Sequence, residues 1–199
     1  MGAAFGRDAL LDAFDQIGRA AVLAGTKLQI AVYGGSARML ASNFRFATED
    51  VDVSELERPL PGWLAEVVHE IARKNLWQDD WFNDAVAFHL SSLADSAADH
   101  LEFGTFPRDG TSPGLVVSVP SAEYLLALKA VRVLDPVRGE VERLDILNLM
   151  QVVGISTAEE AIALLGRYFP VSAASSEKQR FLLQNMSREG GIDAPKYPR

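Results

Sequence analysis

The sequence contains no cysteine. Disulfides and thiolate metal sites are therefore excluded, and the composition is compatible with a reducing compartment, so a cytoplasmic location is expected. Histidine is scarce: His69, His89 and His100 are widely spaced, which argues against a zinc centre. Basic residues are in deficit, 19 Lys and Arg against 27 Asp and Glu, for a net charge of −8. Avid, sequence-independent binding to nucleic acid depends on neutralising phosphates, so a dedicated DNA-binding role is not expected. No run approaches the roughly 20 apolar residues of a membrane span, and no basic leader precedes an apolar stretch at the N-terminus. A P-loop, a G-x-S-x-G elbow and an H-E-x-x-H helix are all missing. Internal repeats and low-complexity tracts are missing too.

What is present is a chain of 199 residues, 48% hydrophobic, long enough to bury a core without covalent staples. Its first half reads as mixed α/β. Leu10, Leu11, Phe14, Ile17, Ala21 and Val22 recur at helical spacing from Asp8 to Leu23, and Gly25 ends that helix. Lys27 to Tyr33 is nearly all apolar, which predicts a central strand. Gly34 and Gly35 then permit a tight turn, and Ser36 is expected to cap a short helix to about Ser42. Glu49 to Val53 alternates as a strand, Pro61 to Asn75 as a helix, and Gln78 to Asp84 reads as a loop. A short helix is expected around 85–93. Strands are expected at His100 to Phe106 and Gly114 to Val119.

After Pro120 the pattern turns helical. Helices are expected from Ser121 to about Leu134 and from Arg138 to Val153. A third is opened by a capping box at Ser156-Thr157-Ala158-Glu159 and ends near Phe169-Pro170, and a fourth runs from Ser176 to Arg188. The expected organisation is thus an α/β domain over 1–119, a helical domain over 120–189 and a tail over 190–199.

Chemistry concentrates between Leu28 and Val53. Asp50 and Asp52 are two apart on a strand, so their carboxylates point the same way and repel unless a cation or other partner neutralises them. Two ordinary acids at a solvated strand end are the simple alternative. Upstream, a glycine turn leading into a helix presents backbone N–H groups suited to phosphate. Carboxylates plus phosphate oxygens form the set that magnesium prefers. In the helical half, Tyr124 to Leu134 is apolar almost all round except for Lys129 and Arg132, and Asp145 interrupts an apolar stripe on the next helix. Asp145 is therefore expected to pair with Lys129 or Arg132, as a structural ion pair, as part of a site, or as both. The aromatics Trp77, Trp81, Phe82 and Phe88 read as core.

The Gly-Gly-Ser turn, thirteen intervening residues and Asp-Val-Asp resemble the signature of the nucleotidyltransferase superfamily. More narrowly, the T-E-D-V-D segment resembles bacterial nucleotidyltransferase-like proteins related to the AbiEii toxins of type IV toxin–antitoxin systems. So do Lys129 and Arg132 in Y-L-L-A-L-K-A-V-R-V and Asp145 in E-R-L-D-I-L-N-L. The resemblance implies an α+β, polymerase-β-like fold with a small mixed sheet followed by a C-terminal helical bundle. It implies magnesium or manganese at Asp50 and Asp52, and a nucleoside triphosphate (NTP) cradled by Gly34, Gly35 and Ser36. Arg38, Arg45, Thr48 and Arg132 would lie near the phosphates, Lys129 would contact them, and Asp145 would orient Lys129 or assist the acceptor. The implied activity is transfer of a nucleoside monophosphate to an RNA such as tRNA, a protein or a small molecule, with an antitoxin as partner. A non-catalytic nucleotide-binding or protein-binding module of the same fold is the alternative. Two departures stand out: no third carboxylate on Gly114 to Val119, with Glu102 the nearest candidate, and glutamate at Glu142 where relatives pair two acids three residues apart.

Overall fold

The computed structural model describes residues 3–41, 47–55, 60–132, 139–174 and 177–188. Arg45, the end of the helix expected at Ser42, and the tail 190–199 lie outside them, as do the side chains of Arg132 and Glu142. The protein is α+β, with one five-stranded mixed sheet and several helices. The chain divides into two units. The first comprises Met1–Phe88 and His100–Val119, the second His89–Asp99 and Pro120–Arg199. Residues 89–99, which the sequence reading grouped with the α/β half, thus cluster with the helices.

The first unit holds α1 (Arg7–Leu23), β1 (Leu28–Val32), α2 (Gly34–Ala41), β2 (Val51–Glu55), α3 (Gly62–Asn75), β3 (Phe82–Asn83), β4 (His100–Phe106) and β5 (Leu115–Pro120, whose last residue falls in the second unit). The sheet order is β3-β2-β1-β5-β4, so β1, the nearly all-apolar strand expected to be central, is the central one. β1 runs antiparallel to β2, with Val32 opposite Val53, and parallel to β5, with Ala31 opposite Ser118. Alternation then sorts the faces. Leu28, Ile30, Val32, Val51, Val53, Leu115 and Val117 join a core with Leu10, Phe14 and Ile17 of α1 and Leu64, Val68 and Ile71 of α3. The opposite face carries Gln29 and Ala31 of β1 and Asp52 and Ser54 of β2.

Four local readings are corrected. Phe88, read as core, is 90% exposed. The acid-rich segment 78–84 is not simply a loop: Trp81 is fully buried, its Nε1–H donates to the Val68 carbonyl at 3.1 Å, and β3 follows it. An indole outweighs neighbouring acids when its ring is buried and its N–H is satisfied. The short helix expected around 85–93 is a 3-10 turn over Ala85–His89. β2 begins at Val51, so Asp50 precedes the strand and does not lie within it.

The second unit contains α4 (Ala122–Arg132), α5 (Gly139–Val153), α6 (Ala158–Tyr168), α7 (Pro170–Ala174) and α8 (Glu177–Arg188). α4 buries Tyr124, Leu125, Leu126, Ala127, Leu128 and Ala130, as its nearly all-round apolar sequence requires, and packs on α5 and α6. The Ser121 hydroxyl accepts the Tyr124 N–H and caps it. The capping box sits one residue later than expected: Thr157 receives the Glu160 N–H, and the Glu160 carboxylate receives the Thr157 N–H. The short helix α7 was not anticipated. No single helix among the described residues is long and apolar enough to cross a membrane.

Candidate functional site

β1 runs directly into the glycine turn. The Tyr33 N–H donates to the Asp52 carbonyl at 2.8 Å, carrying the β1–β2 ladder one rung past Val32 and Val53. Gly34 then adopts φ of +63°, a conformation open to glycine and strained for residues with a Cβ, and α2 begins there. The first i→i−4 bond of α2 runs from Ala37 N–H to the Tyr33 carbonyl. The N–H groups of Gly34, Gly35 and Ser36 precede it and have no acceptor within the helix. Ser36 therefore lies inside the first turn and is not the cap expected of it.

Its hydroxyl has another task. Ser36 is buried, and its Oγ–H donates to the Asp50 carbonyl at 2.7 Å. Thr48, also buried, points its Oγ1–H at the same carbonyl (3.1 Å) and at Asp50 Oδ1 (3.3 Å). Backbone bonds in both directions between Thr48 and Phe5 fix that segment in turn. Two hydroxyls thus hold the main chain of Asp50 beside the start of α2, while its side chain stays exposed.

Asp52 is half-buried on β2, and its carboxylate rests against Gly34. A Cβ built on Gly34 would lie 2.7 Å from Asp52 Oδ2, closer than real Cβ contacts come. The absent side chain is thus the space the carboxylate occupies. Arg38, expected near phosphate, is buried at 1% exposure, with its Nε–H directed to the Gly34 carbonyl at 3.4 Å. Its positive charge reaches the turn from inside the protein.

A helix N-terminus attracts anions and a pair of carboxylates attracts cations. A ligand satisfying both at one place is a divalent cation carried on phosphate, and magnesium is commonly held by one or two carboxylates with phosphates and water completing its shell. The Asp52 carboxylate and the N–H groups of Gly34, Gly35 and Ser36 fit such a group, with the main chain of Asp50 held beside them and its carboxylate exposed. Among the described residues no three His, Asp or Glu side chains gather as a metal site on their own. Glu102 does not join the pair. It is exposed on β4, three strand spacings from β2, or about 14 Å at about 4.8 Å per spacing.

No family model, curated protein or solved structure matches the chain.

In the second unit, Lys129 Nζ of α4 lies 3.4 Å from Asp145 Oδ2 of α5, the two side chains being 11% and 7% exposed. Of the two cations considered for Asp145, Lys129 is thus seen to pair with it. The separation exceeds the 2.7–2.9 Å typical of a tight charged hydrogen bond, so this is an ion pair without close donor–acceptor contact.

Sequence reasoning missed the hydroxyl ties of Ser36 and Thr48 to Asp50. It also missed a hydrogen bond of 2.8 Å between Tyr33 Oη and His100 Nε2. The signal for the first was present, since Thr48-x-Asp50 is the spacing of a local side-chain turn. The second joins residues 67 positions apart, and no local pattern announces it.

Proposed function

We propose that the protein is a magnesium-dependent nucleotidyltransferase of the polymerase-β-like fold, related to the AbiEii-like bacterial proteins. The observation that carries this reading is the seating of the Asp52 carboxylate against positive-φ Gly34, at the start of a helix whose first N–H groups have no acceptor within it. Asp50 and Asp52 hold Mg2+, or Mn2+, and Gly34, Gly35 and Ser36 cradle the triphosphate of the NTP. When bound, the metal aligns the reacting groups and absorbs charge on the phosphates. The chain's own part is to position: Ser36 and Thr48 fix the Asp50 main chain, and Arg38 adds positive potential behind the turn. The resemblance assigns Lys129 to phosphate binding and Asp145 to orienting it; within the second unit the two form an ion pair. An acceptor hydroxyl attacks the α-phosphorus, the bond to the β-phosphate oxygen breaks, pyrophosphate leaves, and the hydroxyl proton passes to solvent. RNA, protein and small molecules are the acceptor classes to test, with an antitoxin as the partner implied by the resemblance and the cytoplasm as the setting.

The position of Glu102, on the far edge strand from the aspartates, favours a second reading, a nucleotide-binding module without turnover. One experiment separates the two. The protein is incubated with each α-labelled NTP, Mg2+, tRNA and cell lysate, alongside Asp52→Ala, and nucleotide affinity is measured in parallel. Label transfer that Asp52→Ala abolishes supports the enzyme. Binding lost in Asp52→Ala, with no transfer by the wild type, supports the module. Absence of both, or transfer undiminished in Asp52→Ala, removes the nucleotidyltransferase reading.

A further inference from the structure

Tyr33 occupies a special place in the first unit. It lies between the end of β1 and Gly34, and its N–H bond to the Asp52 carbonyl sets it opposite Asp52 in an antiparallel ladder. Residues so opposed project to the same face, with Cβ atoms about 4.5–5.5 Å apart. Gly34 thus lies against the Asp52 carboxylate, and the Tyr33 and Asp52 Cβ atoms are neighbours across the ladder, while the Tyr33 hydroxyl reaches the other way, across β5 to β4. Tyr33 is 2% exposed, and its hydroxyl is bonded to His100 Nε2 at 2.8 Å, with the two rings nearly perpendicular and 5.9 Å between centroids. His100 begins β4, and β5 lies between β4 and β1, so this side-chain bond spans a strand that the backbone ladder already joins to both. The sheet does not need it to close. Its effect falls on the residue that precedes the glycine turn.

We propose that the Tyr33–His100 hydrogen bond is a positioning device that holds the Asp52–Gly34 seat in register for a metal–nucleotide complex. The inference rests on the nucleotide reading above. Tyr33 and His100 act through Asp52 and the turn, and neither is assigned contact with the reacting atoms. Losing one hydrogen bond of this kind corresponds to about a three- to tenfold effect on affinity.

The test uses the full chain and Tyr33→Phe, His100→Ala and His100→Gln, the last retaining a group able to bond the tyrosine hydroxyl. Three quantities are read: affinity for Mn2+ with ATP, GTP, CTP and UTP in turn by calorimetry, amide hydrogen exchange over 33–40 without ligand, and melting temperature. The expected result is about three- to tenfold weaker nucleotide affinity in Tyr33→Phe and His100→Ala, with partial recovery in His100→Gln. Exchange should quicken at Tyr33 and Ala37, whose N–H groups bond the Asp52 and Tyr33 carbonyls, while α1 and α3 stay protected. If the wild type binds nucleotide and Tyr33→Phe matches it in affinity and exchange, the positioning role is overturned while the nucleotide reading stands. If exchange rises throughout the unit together with a lower melting temperature, the bond serves the fold alone and the proposal also fails. A wild type that binds no nucleotide under any of the four conditions removes the nucleotide reading and this inference with it.

Discussion

Replacing Gly34 with alanine separates the backbone demand of the turn from the space it leaves for Asp52. Gly25 provides a matched control. Its φ is +64° against +63° for Gly34, yet a Cβ added at Gly25 meets nothing within 4 Å. Gly25→Ala should therefore show the conformational cost alone, about 1–2 kcal/mol for an L-residue in left-handed backbone. For a chain of this length that lowers the melting temperature by roughly 2–8 °C. Gly34→Ala carries the same cost and adds a collision. From 2.7 Å to the 3.4 Å at which ordinary contact begins, Asp52 Oδ2 must retreat by about 0.7 Å. A carboxylate at the end of a side chain can make that move with little further loss of stability, but it leaves its seat. Misplacement near 1 Å in a positioned site costs on the order of 100-fold in rate. The two variants should melt within a few degrees of each other, while nucleotide transfer falls about 10- to 100-fold further in Gly34→Ala. If the protein binds without turnover, the same contrast should appear in affinity. Calorimetric melting and a labelled-nucleotide assay measure both. Equal activity in the two variants would show that the carboxylate does not depend on the missing Cβ. An undiminished Gly34→Ala would remove the turn from the site altogether.

Two further outcomes follow from the helical unit. Asp145→Asn removes the carboxylate that faces the buried Lys129 ammonium and should destabilise the protein in chemical denaturation, whereas the double change Lys129→Met, Asp145→Leu should lie closer to wild type; equal losses would mean that the buried pair is not what sets the stability there. The Glu160 carboxyl is held below the ordinary glutamate range by N–H bonds from Ser156 first and Thr157 next. A depressed carboxylate contributes stability above its unfolded pKa and loses it as pH falls through the folded value. The stability difference between wild type and Glu160→Gln should therefore be constant near neutrality and shrink as pH drops below about 4.3; a gap that stays flat into acid would contradict this.

The sequence exposed those features whose cause is local. β1 announced itself because a strand buried on both faces cannot alternate, and α4 because a helix surrounded by protein has no polar face to show. The glycine turn was visible because φ above zero restricts the choice of residue. Other features depend on partners that only folding supplies. Trp81 sits among acids in sequence, and its burial is decided by Val68, thirteen residues earlier. Ser36 was assigned to a cap because a serine after glycines usually is one, but the Asp50 carbonyl claims its hydroxyl instead. The Tyr33–His100 bond and the Lys129–Asp145 pair differ in the same way. The second was foreseeable because apolar surroundings force two charges to find each other, while the first involves residues with no such obligation.

The placement of residues 89–99 bears on how the protein can be taken apart. Ser91 donates its N–H to Tyr124 Oη and its hydroxyl proton to the Tyr168 carbonyl. Asp99 receives the Tyr168 hydroxyl at 2.6 Å and gives its carbonyl to Ser121 N–H. The chain therefore leaves the first unit, threads a segment into the second, and returns to build β4 and β5 before the helices begin. A fragment cut after Val119 would keep the aspartates and the turn, yet it would display an eleven-residue segment stripped of its polar partners. A ribosome meets the same condition in passing: for as long as α4 and α6 are unmade, the middle of the chain has nowhere to dock. Neither unit is a cassette that can be excised or fused at a single junction, and a graft of the aspartate-bearing unit onto another protein must carry the helices with it or replace what they hold.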